Sequence, residues 1–121
     1  MSRSATSPRP ALPPCPAQRV FDAVSGKWKL PLLWTLRGGA LRFGAVRRAV
    51  PGISARMLAQ QLRALEADGL VRRTVFAEVP PRTEYMLTER GESLVPLLNG
   101  LADWGERHLA AAPPRPGRTA R

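Results

Sequence analysis

The segment from Ile53 to Gly69 most constrains how this chain can fold, because it predicts a single amphipathic helix. It reads ISARMLAQQLRALEADG, in which Leu58, Leu62 and Leu65 recur at the spacing of a stripe that faces a core. Gly69 then supplies a stop signal. The opposite side of the predicted helix carries three polar residues: Arg56, Gln60 and Arg63.

Those polar residues are of the types that recognise DNA bases. Arginine matches the acceptors of guanine and glutamine matches adenine, so Arg56, Gln60 and Arg63 are candidates for base contact, with Gln61 on the flank. Ser54 offers an N-cap hydroxyl, and the free amides of the first turn can hold a DNA phosphate. A solvated helix face explains the same pattern equally well.

The charge distribution favours a polyanionic partner. The chain carries a net charge of +10, and 14 basic residues against 9 acidic ones remain once the five arginines near its two ends are set aside. No acidic residue lies between Asp22 and Glu66. An anionic membrane surface would also attract this segment, but no long insertion face bearing Trp or Phe accompanies it, so duplex nucleic acid is the better match. Eight basic residues occupy the interval: Lys27, Lys29, Arg37, Arg42, Arg47, Arg48, Arg56 and Arg63.

Length and composition indicate one domain between two tails. The 121 residues leave room for a single core, which we place at 15–111. Residues 1–14 and 112–121 are rich in Pro, Ala, Ser and Arg and are predicted to be disordered. Neither a secretory signal nor an apolar run long enough to span a bilayer is evident, so we expect a cytoplasmic protein without a membrane partner.

Periodicity predicts a mainly α fold with a small β-hairpin (α+β), containing about five helices. A short extended piece is expected at 41–43. The two strands of the hairpin should form a wing whose loop is stiffened by Pro80 and Pro81. Pro96 is expected to kink the last helix. Together these elements predict a winged helix-turn-helix. The predicted helices are 16–24, a segment following Gly26, 43–50, 54–68 and a long one capped by Thr88, and the strands are 70–77 and 82–87.

Several ordered motifs give this chain a family resemblance. GKW, RFG, the LxxLE-DGLV run, the VPPR-EY-LT hairpin and the closing W-GE follow one another between about Cys15 and Leu109. In this order they resemble the HxlR family of bacterial winged-helix transcriptional regulators. The resemblance implies a homodimer that binds DNA near a promoter and regulates adjacent genes. In that family the terminal helices generally form the dimer contact, which would place Phe21, Leu101 and Trp104 at the interface; these three residues also fit a hydrophobic core.

A dimer of this kind would present two recognition helices to successive major grooves of a near-palindromic operator, with half-sites roughly 34 to 36 Å apart. Arg47, Arg48 and Arg82 are the candidates for contact with the DNA backbone, where they would set position and salt dependence. Each of them can instead serve only to keep the protein in solution. A winged helix that binds another protein and no nucleic acid is the alternative function.

Catalysis, metal binding and cofactors have little support in the sequence. His108 is the only histidine and Cys15 the only cysteine, so a metal site or a nucleophile and base pair lacks partners. We therefore expect no enzyme activity, no metal and no cofactor. Some relatives respond to oxidants through a cysteine near the position of Cys15, which makes it a candidate redox sensor; an idle thiol is equally consistent with the sequence. A single cysteine can form only a bridge to a partner subunit or a mixed disulfide.

Overall fold

The computed structural model describes residues 15–109, so the two predicted tails lie outside the described residues. Six helical segments and three strands follow one another in this part of the chain. In chain order they are α1 (Pro16–Ala23), α2 (Lys29–Leu36), β1 (Leu41–Arg42), α3 (Phe43–Ala49), α4 (Ala55–Ala67), β2 (Val71–Phe76), β3 (Arg82–Leu87), α5 (Glu89–Glu92) and α6 (Val95–His108).

The strands form one antiparallel sheet in the order β1-β3-β2. The hairpin of β2 and β3 runs in register from Val71 opposite Leu87 to Phe76 opposite Arg82. The short strand β1 joins its other edge, with Leu41 opposite Tyr85. The winged helix-turn-helix predicted from the sequence is confirmed, and the predicted two-stranded wing is extended by a third strand from the extended piece at 41–43.

The apolar stripe of α4 anchors the core, as the sequence predicts. Leu58, Leu62 and Leu65 are each at most 1% exposed. They belong to one cluster with the leucines of α2 and with residues of α3 and the sheet. Burial of a leucine side chain is worth about 1.5 to 3 kcal/mol, so this stripe holds α4 firmly in one rotational setting. The opposite face of the same helix is thereby turned outward.

Both ends of α4 carry capping structures. The Ser54 hydroxyl accepts a hydrogen bond from the Met57 amide at 3.0 Å, which confirms the predicted N-cap. At the other end Gly69 adopts a positive φ of 76°. The Gly69 amide donates to the Glu66 carbonyl at 2.9 Å and the Leu70 amide donates to the Leu65 carbonyl at 3.0 Å, which together form a Schellman motif. The chain therefore leaves α4 at a defined angle and enters β2 directly.

The long helix predicted after Thr88 is instead two helices. The one-turn helix α5 ends at Glu92, and α6 begins at Val95. Pro96 lies in the first turn of α6, where its missing amide donor breaks no hydrogen bond, so the predicted kink at this residue is wrong. The helical hydrogen-bond pattern is interrupted at residues 93–94, before α6 begins at Val95.

Helix α5 ties the end of α4 to the sheet. The Thr88 hydroxyl donates to the Gly69 carbonyl at 2.6 Å and accepts from the Gly91 amide at 3.1 Å. Arg90 Nη1 donates to the Asp68 carbonyl at 3.2 Å. Gly91 is buried against the turn that follows α4. These contacts define the position of α4 relative to the C-terminal helices.

Candidate nucleic-acid interface

The outward face of α4 presents the predicted recognition side chains. Arg56, Gln60 and Arg63 are all exposed, while the leucines on the other side of the helix are buried. Gln61 differs from them, because it is half-buried and its Nε2 lies 3.5 Å from the Met57 sulfur. Its amide is therefore turned back toward its own helix. We call the face formed by the three exposed residues the recognition face of α4, after the role that the sequence predicts for it.

A cleft lies at the N-terminus of α4, and we call it the N-terminal cleft. It is lined by Arg47 and Arg48 of α3, by Ser54, and by Gly44, Gly52 and Ile53. Arg47 Nε donates to the Ile53 carbonyl at 3.3 Å, which holds this side chain against the turn between the two helices. The structure thus brings together three of the four predicted backbone-contact residues. The first turn of α4 adds the partial positive charge of a helix N-terminus.

Arg82, the fourth predicted backbone contact, is engaged within the wing. Its Nη2 lies 3.2 Å from a carboxylate oxygen of Glu78, and its Nε lies 3.4 Å from one of Glu84 without a hydrogen bond between them. The guanidinium also stacks over the Phe76 ring, 4.1 Å from its centroid. Two carboxylates therefore neutralise this charge locally, unlike the arginines of the recognition face.

Two exposed arginines of β2, Arg72 and Arg73, were not among the sequence candidates. Successive residues of a strand point to opposite faces of the sheet, so one of the pair must lie on the side of α4. The signal available in the sequence was a pair of adjacent arginines within a predicted strand of the wing. Which of the two faces α4 depends on strand register, which the sequence pattern leaves open.

An apolar surface runs along α1 and α6. Phe21 is 53% exposed, Leu101 41% and Trp104 57%, so the interpretation of these three residues as core is wrong for the single chain. Helix α1 has no buried residue at all. Between α1 and α6 lies a groove lined almost wholly by carbon, which includes Val20 and Leu97. Short helices depend on tertiary packing for much of their stability, and within the single chain α1 packs along this groove.

Cys15 and His108 occupy exposed positions at helix ends. Cys15 is the N-cap residue of α1, and its side chain accepts no hydrogen bond from the helix amides. The His108 ring lies 4.7 Å from the Trp104 ring, on the last turn of α6. Among residues 15–109 no group of three potential ligands could hold a metal ion. No helix in that same range has the length and apolar character needed to cross a membrane.

A helix pair whose second member turns a basic face outward, followed by a hairpin wing, defines the class of winged helix-turn-helix transcriptional regulators. Residues 23–113 match the model of the HxlR-like helix-turn-helix family, and the chain belongs to that family.

Individual relatives are similar over most of the chain. An HTH-type transcriptional regulator of Methanothermobacter thermautotrophicus is 46% identical over 94 residues, which are 78% of this chain and 72% of that protein. The redox regulator HypR in its oxidised form is 46% identical, with a TM-score of 0.72 over 78% of this chain and 97% of its own. Its reduced form is 42% identical, with a TM-score of 0.74 over 82% of this chain and 100% of its own.

Proposed function

We propose that this protein is a transcriptional regulator that binds double-stranded DNA sequence-specifically, as a homodimer on a near-palindromic operator. The observation that carries the proposal is the recognition face of α4, which displays Arg56 and Gln60 beside the N-terminal cleft. Helix-turn-helix proteins contact base edges with the N-terminal residues of the second helix. Arg56 and Gln60 lie in the first two turns of α4 and are exposed.

In this proposal base reading and backbone positioning belong to different residues. The Arg56 guanidinium can donate two hydrogen bonds to the O6 and N7 acceptors of guanine, and the Gln60 amide can pair with N6 and N7 of adenine. Arg47, Arg48 and the first turn of α4 after Ser54 hold phosphates at the near edge of the same groove. The backbone contacts set where the helix sits, and the two side chains of α4 then select the sequence.

Dimerisation through α1 and α6 explains the exposed apolar surface. Phe21, Leu101 and Trp104 together offer large apolar side chains that remain unpacked in one chain. A second copy would bury them, and it would add packing to α1, which has no buried residue in the single chain. The two-fold axis would then set the spacing of the recognition helices at about one turn of DNA.

Redox control is the regulatory part of the proposal. Its support is the similarity to HypR, a redox regulator known in oxidised and reduced forms, and the exposure of Cys15 at the start of α1. Oxidation of two Cys15 thiols by a peroxide or disulfide oxidant would give a bridge between subunits, and one thiol would give a mixed disulfide with a small thiol. Either product adds a constraint or bulk next to the dimer surface.

Titration of the full chain with selected and random duplexes tests the DNA-binding proposal. Duplexes selected from a random library supply the specific site. We expect Arg56→Ala to weaken binding to the selected duplex by about 1 to 3 kcal/mol and to leave random duplex nearly unchanged. Arg48→Ala is the matched control, since it also removes one arginine, and it should weaken binding to both duplexes by the same amount. Equal losses for Arg56→Ala on both duplexes would refute base reading, and salt-independent binding by the wild type would favour the protein-binding module.

Sedimentation tests the dimer. We expect Trp104→Arg to shift the wild-type dimer toward monomer, because a charged side chain would be buried without a partner. Val79→Arg, which places the same charge on an exposed apolar residue of the wing, should leave the dimer intact. A monomeric wild-type chain at micromolar concentration would contradict the proposal.

Electrophoresis without reductant tests the redox role. After mild diamide treatment in the presence of glutathione, the wild type should either migrate as a covalent dimer or gain the mass of one glutathione, with a change in DNA affinity. Cys15→Ser should show neither change. An oxidised wild type with unaltered mass and DNA affinity would rule out Cys15 as the sensor.

A further inference from the structure

The register of the wing separates its basic residues between two faces. Residues directly opposite one another in an antiparallel pair share a face of the sheet. Arg73 is opposite Tyr85, whereas Arg72 is opposite Met86, so the two arginines point to different sides. Tyr85 is buried and lies on the side of α4. Arg73 is therefore the arginine of β2 that faces the recognition helix.

Arg73 lines a cleft between the sheet and α4, which we call the helix–wing cleft. Its other lining residues are Ala59, Leu62, Arg63 and Glu66 of α4, together with Tyr85. Two arginines and one acidic residue, Glu66, thus line this cleft. Among residues 15–109 the only ion pairs are those of Arg82, so Arg63 and Arg73 keep their charges available for a ligand.

Arg82 lies on the other face of the wing. Arg82 is opposite Phe76, and its ion-pair partner Glu84 is opposite Thr74. Both lie an even number of residues from Met86, which is opposite Arg72, so they share a face of the sheet with Arg72. The Arg82 guanidinium is neutralised there by Glu78 and Glu84. A phosphate that approached Arg82 would have to displace one of these carboxylates. One that entered the helix–wing cleft would meet two arginines that have no ion-pair partner within residues 15–109, beside the one carboxylate of Glu66.

The position of Arg63 along α4 also indicates a phosphate ligand. Arg63 follows Arg56 by two turns, which places it about 10 Å further along the helix axis. A recognition helix reads bases with its N-terminal residues, so its later turns move toward the edge of the groove, where the phosphates lie. The planar guanidinium groups of two arginines match the oxygens of one phosphodiester.

We propose that the helix–wing cleft binds one backbone phosphate of duplex DNA between Arg63 and Arg73. This inference rests on the proposed DNA-binding function and refines it. Arg63 becomes a phosphate ligand in place of the base reader that its position on α4 first indicated. Arg73, and not Arg82, provides the electrostatic contribution of the wing.

The salt dependence of binding to a random-sequence duplex tests this assignment in the full-length chain. We expect Arg73→Gln and Arg63→Gln each to reduce the slope of log K against log salt by about 0.9, the value for one phosphate contact. Arg72→Gln is the matched control, since it removes the same charge one residue away on the other face of the strand. It should leave the slope nearly unchanged, as should Arg82→Gln. Thermal unfolding checks that the four variants remain folded.

Ethylation interference on a selected duplex locates the contact. Ethylation of one particular phosphate in each half-site should weaken DNA binding by the wild type. It should have no effect on binding by Arg73→Gln, because that variant has already lost the contact. Arg63→Gln should be insensitive to the same phosphate and should keep the wild-type base preference. The proposal would be overturned if no phosphate were found whose ethylation weakens DNA binding by the wild type but not by Arg73→Gln.

Three further results would also overturn it: equal slopes for Arg72→Gln and Arg73→Gln, a slope change confined to Arg82→Gln, or an altered base preference in Arg63→Gln. These failures are distinct from failure of the proposed function. If wild-type protein does not bind duplex DNA, the function itself is wrong. If wild-type protein binds with a steep salt slope and Arg73→Gln matches it, only the helix–wing cleft is wrong.

Discussion

Replacement of Gly91 by alanine should destabilise the protein strongly, although alanine is the better helix former. Gly91 lies in α5, buried against the turn between α4 and β2. A Cβ added there would come within 3.0 Å of the Leu70 carbonyl oxygen, which real Cβ atoms essentially never do, and within 3.1 Å of the Leu87 Cβ. The first obstacle is backbone and cannot rotate away, so α5 as a whole would have to move.

Two opposing effects set the change in the free energy of unfolding that Gly91→Ala should cause. Helix propensity favours alanine over glycine by about 1 kcal/mol. Overpacking of a tight contact costs about 1 to 3 kcal/mol, and movement of α5 would also weaken the Thr88 hydrogen bond to Gly69, worth about 1 kcal/mol. The net expectation is a loss of about 1 to 3 kcal/mol, or roughly 5 to 20 °C in melting temperature for a domain of this size.

Gly100→Ala provides the matched control. Gly100 is also helical, and an added Cβ would meet nothing within 4 Å. We expect this variant to gain up to about 1 kcal/mol from helix propensity alone. Thermal and urea unfolding monitored by circular dichroism measure both changes. If Gly91→Ala were as stable as the wild type, or stabilised like Gly100→Ala, the argument from close backbone packing would be refuted.

Three further substitutions probe the elements that position the recognition helix. Ser54→Ala removes the N-cap bond and should lower the free energy of unfolding by about 1 kcal/mol, with Ser54→Asp restoring it in thermal melts. Leu62→Ala should cost about 2 to 5 kcal/mol in urea unfolding, and a cost below 1 kcal/mol would contradict its place in the core. Thr88→Val leaves the Gly69 carbonyl without its donor, so we expect a loss of about 2 kcal/mol; unchanged stability would mean that this bond does not tie α5 to α4.

Local signals made most of the fold predictable. The period of the leucines in α4, the Ser54 cap and the stop at Gly69 depend on residues within one or two helical turns. The winged helix-turn-helix followed from the order of such elements. The break before α6 was mistaken for a kink, because a proline in a helical pattern fits an interior bend as well as a first turn.

The candidate site was predictable to the extent that one helix carries it. Arg56 and Gln60 share the outward face of α4 because their spacing matches the helical repeat. The prediction of Arg82 as a backbone contact did not include its local partners, since its ion pair with Glu84 forms within β3 and its stacking on Phe76 forms across the hairpin. Arg73 was missed, because register alone assigns it to the side of α4.

The sequence by itself determined the elements, their order, the exposed recognition face of α4 and the basic character of the segment before Glu66, because periodicity, capping and charge are local properties of a chain. Only the tertiary structure decided which arginines remain unpaired, which of two neighbouring arginines meets α4, and that Phe21, Leu101 and Trp104 lie outside the core. Those outcomes depend on contacts between residues far apart in the chain, and such contacts are selected by strand register and by packing of the core as a whole.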